Sequence, residues 1–132
     1  MSDLINPTKE QFAAFRALPD EGPIHMLNLI RLRARAGAEA YQAYARESGP
    51  VFERVGGRQH WIGRFDCIVI GPEDERWDIA FIAEYPNPGA FVEMLRDPDY
   101  REAVKHRTAA VEVSRLIRLK PQQSGKGFGS VL

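Results

Sequence analysis

The chain lacks the features that would place it in several specialised classes. It has one cysteine in 132 residues, which excludes an intrachain disulfide and a cysteine-rich zinc site. It has no basic excess, since 18 Lys and Arg balance 18 Asp and Glu, so a main role in nucleic-acid binding is not expected. No apolar run approaches the roughly 18 residues of a membrane span, and the first residues carry no secretory signal. These absences predict a cytoplasmic protein without nucleic-acid or membrane partners.

The composition is that of one globular domain, with 44% hydrophobic and 27% charged residues. We expect a single domain over residues 1–120, in which residues 1–22 form an N-terminal helical extension. Residues 121–132 contain three glycines and little that can be buried. They are therefore predicted to form a flexible tail.

Hydrophobic periodicity predicts a helix followed by the order β-α-β-β-α-β. The first helix is expected to be capped by Asn6, and the long second helix to kink or restart at Gly49 and Pro50. The predicted elements are a helix at 7–18, a strand at 24–30, a helix at 38–55, strands at 59–70 and 77–85, helical segments after Asn87 and Asp97, and a strand at 111–119.

This order is the split βαβ, or ferredoxin-like, α+β arrangement. It predicts a four-stranded antiparallel sheet with helices on one face. Several strands carry apolar residues on both sides, and no further element remains to cover the second face. A second copy of the sheet is the simplest cover, so we expect a homodimer through the open sheet face.

Several ordered segments, spanning about residues 23–119, resemble the DUF1330 family. They are Met26–Arg31 in the first strand, Gly71–Asp78 in the hairpin, Asp97–Tyr100 at a helix start, and His106–Ala110 with Ser114–Leu116 near the last strand. The resemblance implies a dimeric α+β barrel, in which two sheets pack face to face. Its wider structural relatives include monooxygenases of small aromatic substrates, haem-degrading enzymes, isomerases and decarboxylases. The resemblance therefore implies no particular reaction.

Asn28 is a polar residue in an otherwise apolar predicted strand. Strand alternation places Leu27 and Leu29 under the helices and Asn28 in the space between the sheets. A buried amide costs about 1–3 kcal/mol unless it finds partners. Asn28 therefore either orients a ligand or hydrogen-bonds to a neighbouring strand or its dimer mate.

Glu84 is the first candidate catalytic group. It is expected to face the barrel near Asn28, because the strands that carry them are neighbours in this topology. A desolvated carboxylate there would act as a general base. The alternative is an ion pair with Arg115 or Arg64.

His106 is the second candidate catalytic group, because histidine titrates near neutral pH. It would shuttle a proton or bind a metal or haem iron. Only Glu102 stands at ligand spacing with it, whereas a non-haem metal normally needs three protein ligands. No metal site is therefore assigned, and the alternative for His106 is capping the helix C-terminus.

Three residues are candidates for substrate binding. Arg107 and Arg115 would bind a carboxylate in bidentate fashion, or would pair with acidic residues. Trp61 would stack on a planar ligand, or would belong to the core or dimer interface. His60 precedes Trp61, so only one of the two is expected to face the barrel, and Cys67 is predicted to be an inert core thiol.

Three functional hypotheses follow. The first is a cofactor-free enzyme that acts on a small carboxylated or aromatic molecule in a pocket between sheet and helices. The second is a non-catalytic ligand-binding or structural homodimer, in which the polar residues satisfy one another. The third is a haem or metal protein that uses His106.

Overall fold

The computed structural model describes residues 3–132, so residues 1 and 2 of the predicted extension lie outside it. One antiparallel sheet has the strand order β2-β3-β1-β4, which confirms the predicted ferredoxin-like α+β fold. No helix within the described residues is long and apolar enough to cross a membrane. The elements are α1 Lys9–Ala17, β1 Ile24–Leu32, α2 Gly37–Arg54, β2 Arg58–Arg64, β3 Ile79–Tyr85, α3 Pro88–Arg96, α4 Pro98–Ala110 and β4 Val111–Leu119, followed by a short 3-10 turn at Gly129–Val131.

The starts of the helices follow from local capping, with one correction to the sequence prediction. The N-cap of α1 is Thr8 rather than Asn6. The Thr8 hydroxyl accepts from the Gln11 amide, while the Gln11 side chain accepts from the Thr8 amide, so two free donors are satisfied reciprocally. Asn87 caps α3 as predicted, and Asp97 caps α4.

The second helix does not restart at the Gly-Pro pair. α2 is one continuous helix that contains Pro50 in its interior. Ser48 and Val51 on either side of the proline are buried. Their packing compensates for the hydrogen bond that a proline removes.

The predicted strand over residues 59–70 is wrong in its second half. β2 ends at Arg64, and the hairpin closes where the Phe65 amide donates to the Asp78 carbonyl (3.0 Å). Val69 and Ile70 are 88% and 95% exposed, and Cys67 is exposed rather than in the core. An apolar run becomes a strand only where a neighbouring strand pairs with it, and none reaches this segment within residues 3–132.

The two faces of the sheet differ in their surroundings. The helix face is covered by the helices and carries buried Met26, Asn28 and Ile30. On the opposite open face several apolar side chains remain partly or largely exposed. Register and alternation place on it Leu27, Leu29, Trp61, Ala80, Ile82, Ile117 and Leu119.

The prediction that Asn28 faces the space between two sheets is therefore wrong. Asn28 pairs with Phe81 in the register and shares the helix face with it. The prediction assumed that the side under the helices must be entirely apolar. That assumption fails here, because the helices leave a cavity beside Asn28.

Candidate functional site

A cavity of about 1050 Å³ lies between the helix face of the sheet and the helices α1, α2, α3 and α4. Its walls are mainly apolar, and all four tyrosines of the chain line it. A large apolar cavity with a few convergent polar groups is the usual form of a small-molecule site. The aromatic lining residues are Phe12, Phe15, Tyr41, Tyr44, Phe52, Phe81, Tyr85, Phe91 and Tyr100.

Asn28 supplies an amide to the sheet wall of this cavity. Its Nδ2 donates to the Met26 carbonyl (3.0 Å), which fixes the orientation of the amide. No group within residues 3–132 donates to its Oδ1. The buried amide therefore keeps one acceptor for a molecule in the cavity.

Two tyrosines form a hydroxyl pair on the helix wall. The Tyr44 and Tyr100 hydroxyls lie 2.8 Å apart, across α2 and α4. In such a pair one hydroxyl donates to the other, which leaves one proton for another acceptor. The helix wall thus offers a phenolic donor opposite the amide of Asn28.

The charged lining of the cavity is of one sign. Four arginines line it, and no Asp or Glu among the described residues does. Arg107 Nη1 donates to the Ile5 carbonyl and its Nη2 to the Ser114 hydroxyl (3.3 Å). These partners are neutral, so they orient the guanidinium without cancelling its charge. The four residues are Arg101, Arg107, Arg115 and Arg118. Arg115 is at the edge of the cavity, since the register places it opposite Leu29 on the open face.

The N-terminal segment closes one side of the cavity. The Leu4 carbonyl accepts from the Ser114 amide at 2.8 Å. The Phe15 ring of α1 packs on Phe91 with centroids 5.2 Å apart. Arg118 lies over Phe15 and donates to its carbonyl (3.1 Å). The extension is thus part of the cavity wall.

Burial keeps the tyrosines of the cavity neutral. Desolvation is the largest cause that raises the pKa of Tyr41, Tyr85 and Tyr100 above the ordinary 10.0. A raised folded pKa stabilises the fold below the unfolded value, and this contribution is lost as pH rises above about 10. The phenols therefore act as hydrogen-bond donors at neutral pH.

We expect three of the four phenols to stay protonated above pH 10 for as long as the fold persists. Near-ultraviolet phenolate absorbance measures this, with circular dichroism recorded on the same samples. In urea all four should titrate together near pH 10. Ordinary titration of two or more phenols in the folded protein would contradict the burial described here.

The structure separates the sequence-predicted site residues into three places. Asn28 and Arg107 line the cavity. Arg115 borders it, but the register places Arg115 opposite Leu29 on the open face, where its guanidinium lies over the Trp77 ring. Glu84 and Trp61 lie on the open face, opposite His25 and Ile82 respectively. The structure therefore joins only part of the predicted site.

His106 lies on neither face of the sheet. It is on the surface that α2 and α4 form together. Its Nε2 lies 2.7 Å from Glu47 Oε2, and the two side chains are 41% and 46% exposed. Its proposed chemical role stays a prediction. Neither residue lines the cavity.

The expectation that Glu84 lies near Asn28 is wrong. Residues directly opposite on paired strands share a face, and the register places Asn28 with Phe81 but Glu84 with His25. The partners of Glu84 are also not the expected arginines. Its carboxylate contacts Arg58 Nε at 2.6 Å and His25 Nε2 at 2.9 Å.

The expectation that only one of His60 and Trp61 faces the open side is also wrong. The register of β2 shifts between Gln59 and Trp61, so His60 is an extra residue. Trp61 stands opposite Ile82, while the His60 ring lies 4.6 Å from the His25 ring. A β-bulge interrupts strict alternation and lets two successive side chains share a face.

Sequence reasoning missed the tyrosines and Arg118 as cavity residues. Tyr41 and Tyr44 stand at i and i+3, which places them on one helix face. Arg118 lies two residues after Leu116 and four after Ser114 on β4, so strand alternation puts all three on the same face.

Comparisons with known proteins agree with this fold. The model of the family described as "Domain of unknown function (DUF1330)" matches residues 30–118, which confirms the resemblance in the sequence. A crystal structure of the RPA0582 protein of unknown function from Rhodopseudomonas palustris is 66% identical, with TM-score 0.89, covering 92% of this chain and 99% of that one. A structure of methylated RPA0582 is 64% identical, with TM-score 0.90, covering 96% and 100%. No curated protein matches the chain significantly.

More distant solved structures share the fold alone. SnoaB, a cofactor-independent oxygenase from Streptomyces nogalater, is 18% identical with TM-score 0.57, covering 81% of this chain and 100% of its own. A dimeric protein of unknown function with a ferredoxin-like fold, from Bacteroides fragilis, is 15% identical with TM-score 0.52, covering 77% and 99%.

Proposed function

The chain belongs to the DUF1330 family, a domain of unknown function, and we propose that its cavity binds a small aromatic molecule that carries a carboxylate. The observation that carries this proposal is the lining of the cavity. Aromatic rings form its walls, and the charged side chains among the described lining residues are all arginines. A neutral or cationic ligand would gain nothing from that charge, whereas an anionic one would be attracted by it.

Arg107 is the residue we assign to the carboxylate. Its guanidinium is half-buried and oriented by a backbone carbonyl and the Ser114 hydroxyl. A guanidinium has five N–H donors, so two bonds to the protein leave others for a ligand. A charge-assisted hydrogen bond of this kind contributes about 1.5–3 kcal/mol.

The remaining polar groups would orient the ligand. The free Oδ1 of Asn28 accepts from a hydroxyl or amine substituent, and the Tyr44–Tyr100 pair donates one proton. The ring of Phe81, which is opposite Asn28 in the register, offers a surface on which a planar molecule packs.

A catalytic use of the same cavity is the second candidate. Tyrosine, arginine and amide donors around one space would stabilise an oxyanion that forms on a bound substrate. The fold is shared with SnoaB, which is described as a cofactor-independent oxygenase, and this likeness is one of fold alone. Neither predicted catalytic group lines the cavity, so such a reaction would begin from a substrate that is already an anion.

We also propose that two copies of the chain pair through their open faces. Leu27 lies between Ile82 and Ile117 in the register, and all three apolar side chains are at least partly exposed. Ile117 and Leu119 are 42% and 41% exposed. An uncovered apolar sheet face is stabilised by pairing with a second copy. The Bacteroides fragilis protein of similar fold is described as dimeric.

The binding proposal is tested with naphthoate and the uncharged naphthamide as probes. We expect calorimetry to show binding of naphthoate to the wild-type protein, and at least about tenfold weaker binding of naphthamide. Arg107→Gln should lower the affinity for naphthoate by a similar factor and leave that for naphthamide unchanged. The carboxylate is then the group that Arg107 recognises.

Arg35→Gln is the matched control, because Arg35 is exposed in the β1–α2 loop and does not line the cavity. It should leave both affinities unchanged. Equal affinities of the wild-type protein for the two probes, or binding of neither at millimolar concentration, would refute the proposed ligand class. Melting temperatures of each variant show whether the fold is retained.

A further inference from the structure

Three metal-binding side chains meet at one end of the open face. We call His25, His60 and Glu84 the His–Glu cluster; they come from β1, β2 and β3, which are adjacent in the sheet. Their candidate ligand atoms all lie within 4.8 Å of one another. They come together only in the tertiary structure, because 59 residues separate His25 from Glu84 along the chain.

The bulge in β2 is what brings the third side chain into the cluster. His60 is the extra residue between Gln59 and Trp61, and its Nδ1 lies 3.9 Å from Glu84 Oε1. Without the bulge, His60 and Trp61 would alternate to opposite faces. Bulges re-aim side chains in this way at many functional sites.

Arg58 holds the Glu84 carboxylate in an orientation suited to metal binding. Its Nε donates to Glu84 Oε2 at 2.6 Å, while Glu84 Oε1 accepts from His25 Nε2 at 2.9 Å. The hydrogen bond from Arg58 is charge-assisted and fixes the orientation of the carboxylate. One oxygen is thus held by the protein, and the other points toward both imidazoles. An oriented carboxylate of this kind is typical of metal sites with a supporting hydrogen-bond partner.

We propose that the His–Glu cluster binds a divalent transition-metal ion such as Zn²⁺, through His25 Nε2, His60 Nδ1 and Glu84 Oε1. Two imidazoles and one carboxylate suit Zn²⁺, Co²⁺ or Fe²⁺ rather than Mg²⁺ or Ca²⁺, which prefer oxygen ligands alone. Three protein ligands leave a coordination position open for water or another molecule. The site is separate from the cavity and does not depend on the function proposed for it.

Zn²⁺ would take the place of the proton that His25 Nε2 shares with Glu84 Oε1, and that proton is released on binding. The distances then require only a small adjustment. Metal–ligand bonds of about 2.0–2.2 Å in a tetrahedron place ligand atoms roughly 3.4 Å apart. The two distances from Glu84 Oε1, 2.9 and 3.9 Å, lie on either side of that value. The His60 side chain is 47% exposed and can turn toward the others. The cluster also lies where β1 begins and β3 ends, at the rim of the open face.

Calorimetric titration of tag-free, EDTA-treated protein with ZnCl₂ tests the proposal, with Co²⁺ absorption as the second measurement. We expect one Zn²⁺ per chain and a tetrahedral or five-coordinate Co²⁺ spectrum. His60→Ala and Glu84→Gln should each weaken Zn²⁺ binding at least about tenfold and abolish that spectrum. Because His60 is exposed, its replacement leaves the fold intact.

His106→Ala is the matched control. His106 and Glu47 form a His–Glu pair on the surface of the helices, but within residues 3–132 no third metal-binding residue joins them. This variant should bind Zn²⁺ as the wild-type protein does. No binding to the wild-type protein, or equal binding by wild type and His60→Ala, would overturn the proposal. Loss of binding in His106→Ala would assign the metal to the helix surface instead and equally overturn it.

Discussion

Replacement of Leu27 by aspartate is expected to convert the protein from a dimer into a monomer. Leu27 lies on the open face of β1, a central strand of the sheet. Ile82 and Ile117 are directly opposite it on the two neighbouring strands. In the proposed dimer its side chain is buried between the two sheets. A carboxylate there would be removed from water without a partner, once in each copy.

The expected effect is large, because an unpaired charge buried in an interface costs about 3–5 kcal/mol. The dissociation constant of the dimer should rise by about a hundredfold or more. Light scattering coupled to size-exclusion chromatography measures the mass at several protein concentrations. Since Leu27 is half-exposed in the single chain, circular dichroism should show that the fold of the variant persists.

Ala38→Asp is the control for this prediction. It introduces the same charge on the exposed first turn of α2, away from the open face. Aspartate is favourable near a helix N-terminus, so the fold should tolerate it. We expect this variant to retain the mass of the wild-type protein. A Leu27→Asp variant that also retained that mass would show that the open face is not the interface, and a monomeric wild type would refute the dimer itself.

Replacement of Phe91 by alanine is expected to cause the largest loss of stability among single substitutions in the cavity wall. Phe91 is 6% exposed, and its ring lies 5.2 Å from Phe15 and 5.4 Å from Tyr85. It therefore joins α1, β3 and α3 in one aromatic cluster. Removing a buried phenylalanine ring costs about 3–5 kcal/mol, which is a large part of the total for a domain of this size.

Urea denaturation at equal protein concentration measures this loss, because dimerisation would make apparent stability depend on concentration. Phe128→Ala is the matched control, since Phe128 is fully exposed in the C-terminal segment. It should change the free energy of unfolding by less than about 0.5 kcal/mol. If Phe91→Ala unfolded at the same urea concentration as the control, the aromatic cluster would not anchor α1.

Only part of the site could be predicted from the sequence. One choice, namely which face of the sheet lies under the helices, decides the side on which every strand residue is placed. Alternation along β1 correctly separates Leu27 from Asn28, yet it does not say which set lies under the helices. The pattern of an amide among apolar residues favours a place between the two sheets. The helix layer instead leaves a cavity that accommodates Asn28, and this follows from how α1, α2, α3 and α4 pack.

The His–Glu cluster shows a second limit. His60 and Trp61 are adjacent, so alternation predicts opposite faces, and only the register shift in β2 places both on the same one. A bulge is set by the pairing of two whole strands and leaves a weak local signal. His25 also becomes a candidate metal ligand only because residues on other strands lie beside it.

Local patterns in the sequence specify the order of elements, their capping by residues such as Asn87, and the sheet topology that this order allows. These features depend on local periodicity and on short-range hydrogen bonds, which neighbouring residues specify. Contacts between distant segments place Asn28 and Arg107 in one cavity, turn Glu84 away from it, and leave residues 66–70 outside the sheet. Those outcomes depend on packing and register between distant segments, which no local pattern encodes.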